Sequence, residues 1–153
     1  MKLFFFFKQK TAYVMLRRLV GSEMCIRDRN TRVLLVDDHK MFRDGLRVLI
    51  NAEPGMEVVG EAVDGREAVE MARRLSPDVA VMDISMPGMN GIEAMRHLLQ
   101  DNPKIKVVML SMYSSGPLVS SVLAAGASGY VLKGSDFSEL AEAIRSACGR
   151  KDS

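Results

Sequence analysis

Five short apolar runs punctuate residues 32–132, and each is followed by a stretch with the spacing of an amphipathic helix. The runs lie at residues 32–36 (RVLLV), around Val58 and Val59, at residues 79–82, at residues 105–110 (IKVVML) and at residues 129–132. They are continuous rather than alternating. Their strands therefore need cover on both faces, which a parallel sheet between two layers of helices supplies. The spacing predicts helices over residues 41–51, 67–75, 92–99 and 118–125, and a last one opened by Ser135 and Asp136. The first presents Phe42, Leu46, Leu49 and Ile50 on one face, the second Ala68, Val69, Ala72 and Leu75, and the last Phe137, Leu140, Ala141, Ile144 and Ala147. Breakers fall between the elements at Pro54-Gly55, Asp64-Gly65, Ser76-Pro77, Asn90-Gly91 and Asn102-Pro103. Pro117 suits a first helical turn and Gly126 a helix C-terminus.

The chain has 153 residues, 48% hydrophobic and 26% charged, which fits one ordinary globular domain and excludes a collagen, a coiled coil or a mainly disordered chain. No apolar run approaches the roughly 20 residues of a membrane helix, so no membrane is expected as partner. Two cysteines, Cys25 and Cys148, cannot build a disulfide framework. The chain therefore reads as reduced and intracellular, with a cytoplasmic location expected.

The charge is unevenly spread. Of 21 Lys and Arg and 19 Asp and Glu, residues 1–29 hold seven bases and two acids, leaving 14 bases and 17 acids in the rest. The globular part is mildly acidic and carries no nucleic-acid footprint, so this chain itself is not expected to bind nucleic acid. Residues 1–29 show no clean period, and the apolar run at residues 3–7 is too short for a signal peptide. LVGSEMCIRDR at residues 19–29 resembles the translation of a transposase-type sequencing adapter, and KQKTAY at residues 8–13 that of a flow-cell primer. Residues 1–29 are accordingly read as a non-native or disordered extension, and Tyr13 and Cys25 are given no chemical role.

In an open parallel sheet, ligands bind outside the carboxyl ends of the strands. The residues there are Asp37, Asp38 and His39 after the first run, Asp83 after the third, Ser111 after the fourth and Lys133 after the fifth. No glycine-rich loop follows the first strand, so neither a dinucleotide fingerprint nor a P-loop is present. Clustered carboxylates repel unless a cation sits among them or one is protonated. A hard cation held by one or two carboxylates and a phosphate describes Mg2+. A carboxylate can also act as nucleophile and form an aspartyl phosphate, with a lysine and a hydroxyl on the phosphoryl oxygens.

The set VDD at residues 36–38, MDISMPGMNG at 82–91, LS at 110–111 and AAGASGYVLK at 124–133 resembles the receiver (CheY-like) domain of two-component response regulators, in wording nearest the NarL/FixJ type. The match covers residues 32–148 and places a receiver at residues 30–150. The resemblance implies an α/β, flavodoxin-like fold, a doubly wound five-stranded parallel sheet of order 2-1-3-4-5 with five helices. It implies that Asp83 is the phosphoacceptor for a sensor histidine kinase. It further implies that Asp37, Asp38, Asp83 and the Ser85 backbone carbonyl hold Mg2+, that Lys133 and Ser111 assist the transfer, and that Ser111 and Tyr130 form the switch. Phosphorylation would then promote binding of a partner or a homodimer. Such a domain catalyses only its own phosphorylation and dephosphorylation. NarL-like receivers usually precede a helix-turn-helix domain, which is not visible here, so the chain is expected to be the N-terminal fragment of a transcription regulator. The alternatives are a stand-alone receiver or a phosphorylation-independent interaction module.

The chain departs from the wider family in two places. Gly134, not Pro, follows Lys133, and SSGPLVS at residues 114–120 replaces an acidic stretch before the fourth helix. Haloacid-dehalogenase-type phosphatases also use a strand-end Asp, but want a second Asp where this chain has Ser85. Plainer readings stand beside the sharp ones. Asp37 and Asp38 could cap the first helix. Tyr130 could be ordinary strand packing with its hydroxyl at the surface. His39 reads as a solvated loop residue, with no second ligand to support a metal role.

Overall fold

The computed structural model describes residues 29–86 and 88–149. Residues 1–28 of the extension, with Tyr13 and Cys25, lie outside the described residues, as does Pro87. Among the described residues five strands and five helices alternate. They are β1 (Thr31–Val36), α1 (Lys40–Ala52), β2 (Met56–Ala62), α2 (Gly65–Leu75), β3 (Val79–Asp83), α3 (Gly91–Asp101), β4 (Lys106–Ser111), α4 (Gly116–Ala124), β5 (Gly129–Leu132) and α5 (Phe137–Ala147). The sheet runs β2-β1-β3-β4-β5 with every pairing parallel, as the sequence resemblance implies.

Alternate residues of the central strands enter two separate cores. Leu34, Val36, Ala80, Met82, Val107 and Met109 face one layer of helices, and Val33, Leu35, Val79, Val81, Val108 and Leu110 face the other. This is why the runs carry no polar alternation. Burying each such Val, Leu or Met contributes about 1.5–3 kcal/mol relative to exposure. Met82 and Met109 are fully buried filling residues. The edge strand β2 is only half-buried along most of its length. In α1, Leu46 and Ile50 face the sheet, while Leu49 is 46% exposed. The expected four-residue face is therefore narrower, because Leu46 and Ile50 occupy the line nearest the sheet and Leu49 lines the groove beside Phe42 and Phe137.

Three helices start on side-chain caps. Asp64 accepts from Glu67 N, Asn90 from Glu93 N, and Ser115 from Leu118 N with Pro117 in the first turn. The α5 start differs from expectation. Asp136 stands at its N-cap without a side-chain bond, while the Ser135 hydroxyl donates back to the Leu132 carbonyl at 2.7 Å. At α1 the N-cap is His39, also without a side-chain cap bond. Asp37 and Asp38 therefore do not cap α1 and remain available at the sheet rim. Among the described residues no helix is long and apolar enough to cross a membrane.

The chain crosses from one side of the sheet to the other between β1 and β3, which opens a crevice at their carboxyl ends. Asp37 follows β1, Asp83 closes β3, Ser111 closes β4 and Lys133 follows β5, so the fold brings all four to one rim.

Candidate functional site

Asp37 and Asp83 are buried, at 2% and 3% exposure. Two carboxylates taken out of water need a cation close by. Lys133 supplies it, its Nζ lying 2.9 Å from Asp37 Oδ2 and 3.2 Å from Asp83 Oδ2. The lysine stem is covered, and its ammonium lies 4.7 Å from the centre of the Phe42 ring, which favours the charged form. Burial pulls Lys133 down, but Asp37 and Asp83 outweigh it and hold the ammonium above its usual range. For Asp83 burial wins: its carboxyl is pushed up by desolvation and by Asp37, against the pull of Lys133 and of the Ser85 N–H.

The remaining oxygens are directed. Asp83 Oδ1 accepts from Ser85 N at 3.2 Å. Asp37 Oδ1 accepts from His39 N at 2.8 Å. Asp37 Oδ2 is buried and has no aligned hydrogen-bond donor, although the Lys133 ammonium is at ion-pair distance. The distance makes an ion pair; the alignment fails as a hydrogen bond, so the oxygen keeps a lone pair to offer. Asp37, Asp38, His39 and Asp83 each offer one ligand atom, and these atoms all lie within 4.8 Å of one another. That donor set, mostly carboxylate oxygen with one buried oxygen unsatisfied, fits a hard dication such as Mg2+. His39, read from sequence as a solvated loop residue, is indeed exposed, and the turn before α1 sets its ring beside Asp37 and Asp38.

The loop after Asp83 is held against the strand end. Gly91 N donates to the Ile84 carbonyl at 2.9 Å, and a Cβ on Gly91 would stand 2.4 Å from the Asp83 carbonyl oxygen. Only glycine lets α3 start this close to the site. Gly88 turns the loop at φ 75°.

Ser111 is buried beside this group, at 3% exposure. Its Oγ accepts from Tyr113 N at 3.0 Å. The Tyr113 carbonyl in turn accepts from the Tyr130 hydroxyl at 2.5 Å. The Tyr130 ring is half-buried and packs on the core as a strand residue would, while its hydroxyl, at the surface, has the Tyr113 carbonyl as its partner. Tyr113 itself is 65% exposed.

The response regulator receiver domain model matches residues 33–145. This chain belongs to that family. The transcriptional regulatory protein DegU of Brevibacillus brevis is 42% identical over 120 residues, 78% of this chain and 51% of that protein. LiaR of Bacillus subtilis (strain 168), also a transcriptional regulatory protein, is 47% identical over 116 residues, 76% of this chain and 55% of that protein. The crystal structure of a LuxR-family two-component response regulator from Aurantimonas sp. SI85-9A1 superimposes with a TM-score of 0.75 at 42% identity, covering 80% of this chain and 88% of that one. These relatives place the receiver in the NarL/FixJ type, as its motifs suggested. The chain spans about half the length of the curated relatives it matches. Receiver domains of this family bind Mg2+ at an acidic site and work with sensor histidine kinases, and they are not enzymes in the ordinary sense.

Proposed function

We propose that this receiver accepts a phosphoryl group on Asp83 from a sensor histidine kinase, and that the modification changes its association with a partner or a second copy. The observation that carries the reading is the convergence of Asp83, Lys133, Asp37 and Asp38 at one strand-end rim, inside a chain of receiver sequence. An Asp83 carboxylate oxygen would bond to phosphorus as the phosphorus–nitrogen bond to the kinase histidine breaks, and the imidazole would leave with the electron pair. The Lys133 ammonium stands where it can neutralise a phosphoryl oxygen. Asp37, Asp38, Asp83 and the Ser85 carbonyl would hold Mg2+, which supplies charge neutralisation on the transferred group.

The Ser111 hydroxyl, freed from the Tyr113 N–H, would donate to the phosphoryl group. Loss of that bond would loosen the Tyr113 backbone, on which the Tyr130 hydroxyl also rests. Phosphorylation would in this way bias a two-state loop by what it binds better in one state. The curated relatives are transcriptional regulators about twice as long, which supports reading this receiver as the N-terminal part of a DNA-binding regulator.

Intact-mass spectrometry after incubation with acetyl phosphate and Mg2+ tests the reading. We expect one added phosphoryl group in the parent, and none in Asp83→Asn or without Mg2+. If no mass is added, and a beryllofluoride mimic leaves the NMR signals around Tyr130 unmoved, a phosphorylation-independent interaction module replaces this function.

A further inference from the structure

The apolar face of α1 runs one turn past the strands it covers. Leu46 and Ile50 are buried against the sheet, and Phe42, four residues before Leu46, continues the same face. β5 ends at Leu132, so the groove that Phe42 lines also takes in the Lys133 side chain. The Lys133 ammonium lies over the Phe42 ring, 4.7 Å from its centre. Lys133 is thereby held from three sides, by Asp37 at 2.9 Å, by Asp83 at 3.2 Å and by the ring, and its side chain is only 9% exposed. The face of an aromatic ring is the negative part of its quadrupole and attracts a cation, more strongly the less water reaches the contact. It does so without a titratable charge. An acid in this place would add one more carboxylate to a rim that already carries Asp37, Asp38 and Asp83. A leucine would cover the lysine stem and attract nothing.

We propose that Phe42 is a positioning residue for phosphoryl transfer, whose ring face keeps the Lys133 ammonium at the Asp83 rim while a carboxylate contact is exchanged for a phosphoryl oxygen. The ring is the one contact of the three that this exchange leaves unchanged. A cation already in place costs no reorganisation as charge builds on the transferred group. The hold of the ring also counts for more during transfer than at rest, because one of the two carboxylate contacts is then given up, and only such a difference raises the rate. The inference rests on Asp83 being the phosphoacceptor.

Phe42→Leu removes the ring, but Phe42 also packs on the core, so the deciding series keeps the shape of the side chain. In the full chain Phe42 is replaced by mono-, di- and trifluorophenylalanine, which draw electrons from the ring face stepwise and change its size little. Labelling by acetyl phosphate in saturating Mg2+ is timed by intact-mass spectrometry. We expect the rate to fall at each step, by about three- to tenfold across the series, the range that a largely desolvated cation–π contact supports. Where hydrolysis hides the label, beryllofluoride affinity should fall across the same series. Melting temperatures in the series should stay near the parent's. Phe42→Leu should lose at least as much rate, and Phe42→Tyr, which keeps the ring face, should recover most of that loss. In proton–carbon NMR of the parent, the Lys133 methylene next to Nζ should resonate upfield through the ring current and lose that shift in Phe42→Leu. A labelled parent with equal rates across the fluorinated series, or a Lys133 methylene without a ring-current shift, makes Phe42 an ordinary packing residue and overturns this inference alone. A parent that takes no label and ignores beryllofluoride sinks the proposed function, and this inference falls with it.

Discussion

The Tyr130 hydroxyl donates to the Tyr113 carbonyl at 2.5 Å, and the N–H of the same Tyr113 donates to Ser111 Oγ at 3.0 Å. One residue of backbone therefore joins a hydroxyl buried beside Asp83 to an aromatic ring on β5. Tyr130→Phe keeps the ring and removes only the upper bond. Its cost should be about 0.5–1.5 kcal/mol, the usual net value of one hydrogen bond. Ser111→Ala should expose the Tyr113 amide to faster hydrogen exchange, and Tyr130→Phe should speed the same amide less. Unchanged exchange at Tyr113 in both variants would mean that the loop is held by something else.

Gly91 sits where α3 presses on the strand that carries Asp83. A Cβ there would meet the Asp83 carbonyl oxygen at 2.4 Å and the Ile84 Cα at 2.9 Å. These are backbone atoms and cannot swing away, so Gly91→Ala should destabilise by about 1–3 kcal/mol, as overpacking does. It should also displace Asp83 and slow its labelling by acetyl phosphate. Gly116→Ala is the matched control, since nothing stands within 4 Å of its Cβ; its change should stay within about 0.5 kcal/mol or favour the folded state slightly. Urea denaturation of both variants compares them directly.

The acid limb of stability should carry two contributions of opposite sign. Glu61 is held at 2.8 Å by Arg43 and at 2.8 Å by Arg47. Burial raises its carboxyl, but the two guanidinium groups outweigh burial and hold it below the usual range. That stabilisation is present above the unfolded value of about 4.3 and is lost as pH falls through the folded value. Asp83 behaves oppositely in metal-free protein. Its raised carboxyl binds a proton more readily when folded, so its protonation favours the folded state as pH falls towards the unfolded value near 3.9. Glu61→Gln should therefore flatten the loss of stability below about pH 4. Asp83→Asn should raise metal-free stability at neutral pH. Denaturation midpoints measured from pH 3 to pH 7 would show both.

The parts of this fold that could be read from sequence are those where one physical demand dominates. β1, β3 and β4 are continuous apolar runs because both of their faces are covered, and their ends fall within about one residue of those expected. Only the centre of β2 was legible. As an edge strand it mixes Glu57, Gly60 and Glu61 with its valines, and its burial is partial. The start of α2 at Gly65, two residues before the predicted one, is set by the Asp64 side-chain cap and not by periodicity. Asp37, Asp83 and Lys133 were legible as candidates because strand ends in a parallel sheet converge. The packing role of Gly91 was not. Its significance lies in a distance beneath a strand, which no spacing rule encodes. The role of the Tyr113 backbone was hidden for the same reason, since a peptide group leaves no signature in the side-chain sequence.

Lys133 balances two buried carboxylates, and removing it should make the site's electrostatics visible. In Lys133→Met, Asp37 and Asp83 would share a covered rim with no protein cation between them, against ion-pair distances of 2.9 and 3.2 Å in the parent. Breaking a buried pair in this way costs about 3–5 kcal/mol. The loss should shrink as pH is lowered, because one carboxyl can then protonate, and it should shrink on adding Mg2+, because an ion bound only by the folded state stabilises it by mass action. Thermal melts with and without Mg2+ at neutral pH should therefore show a larger Mg2+-dependent rise in Tm for Lys133→Met than for the parent. An equal rise in both would place the ion away from the Asp37–Asp83 rim.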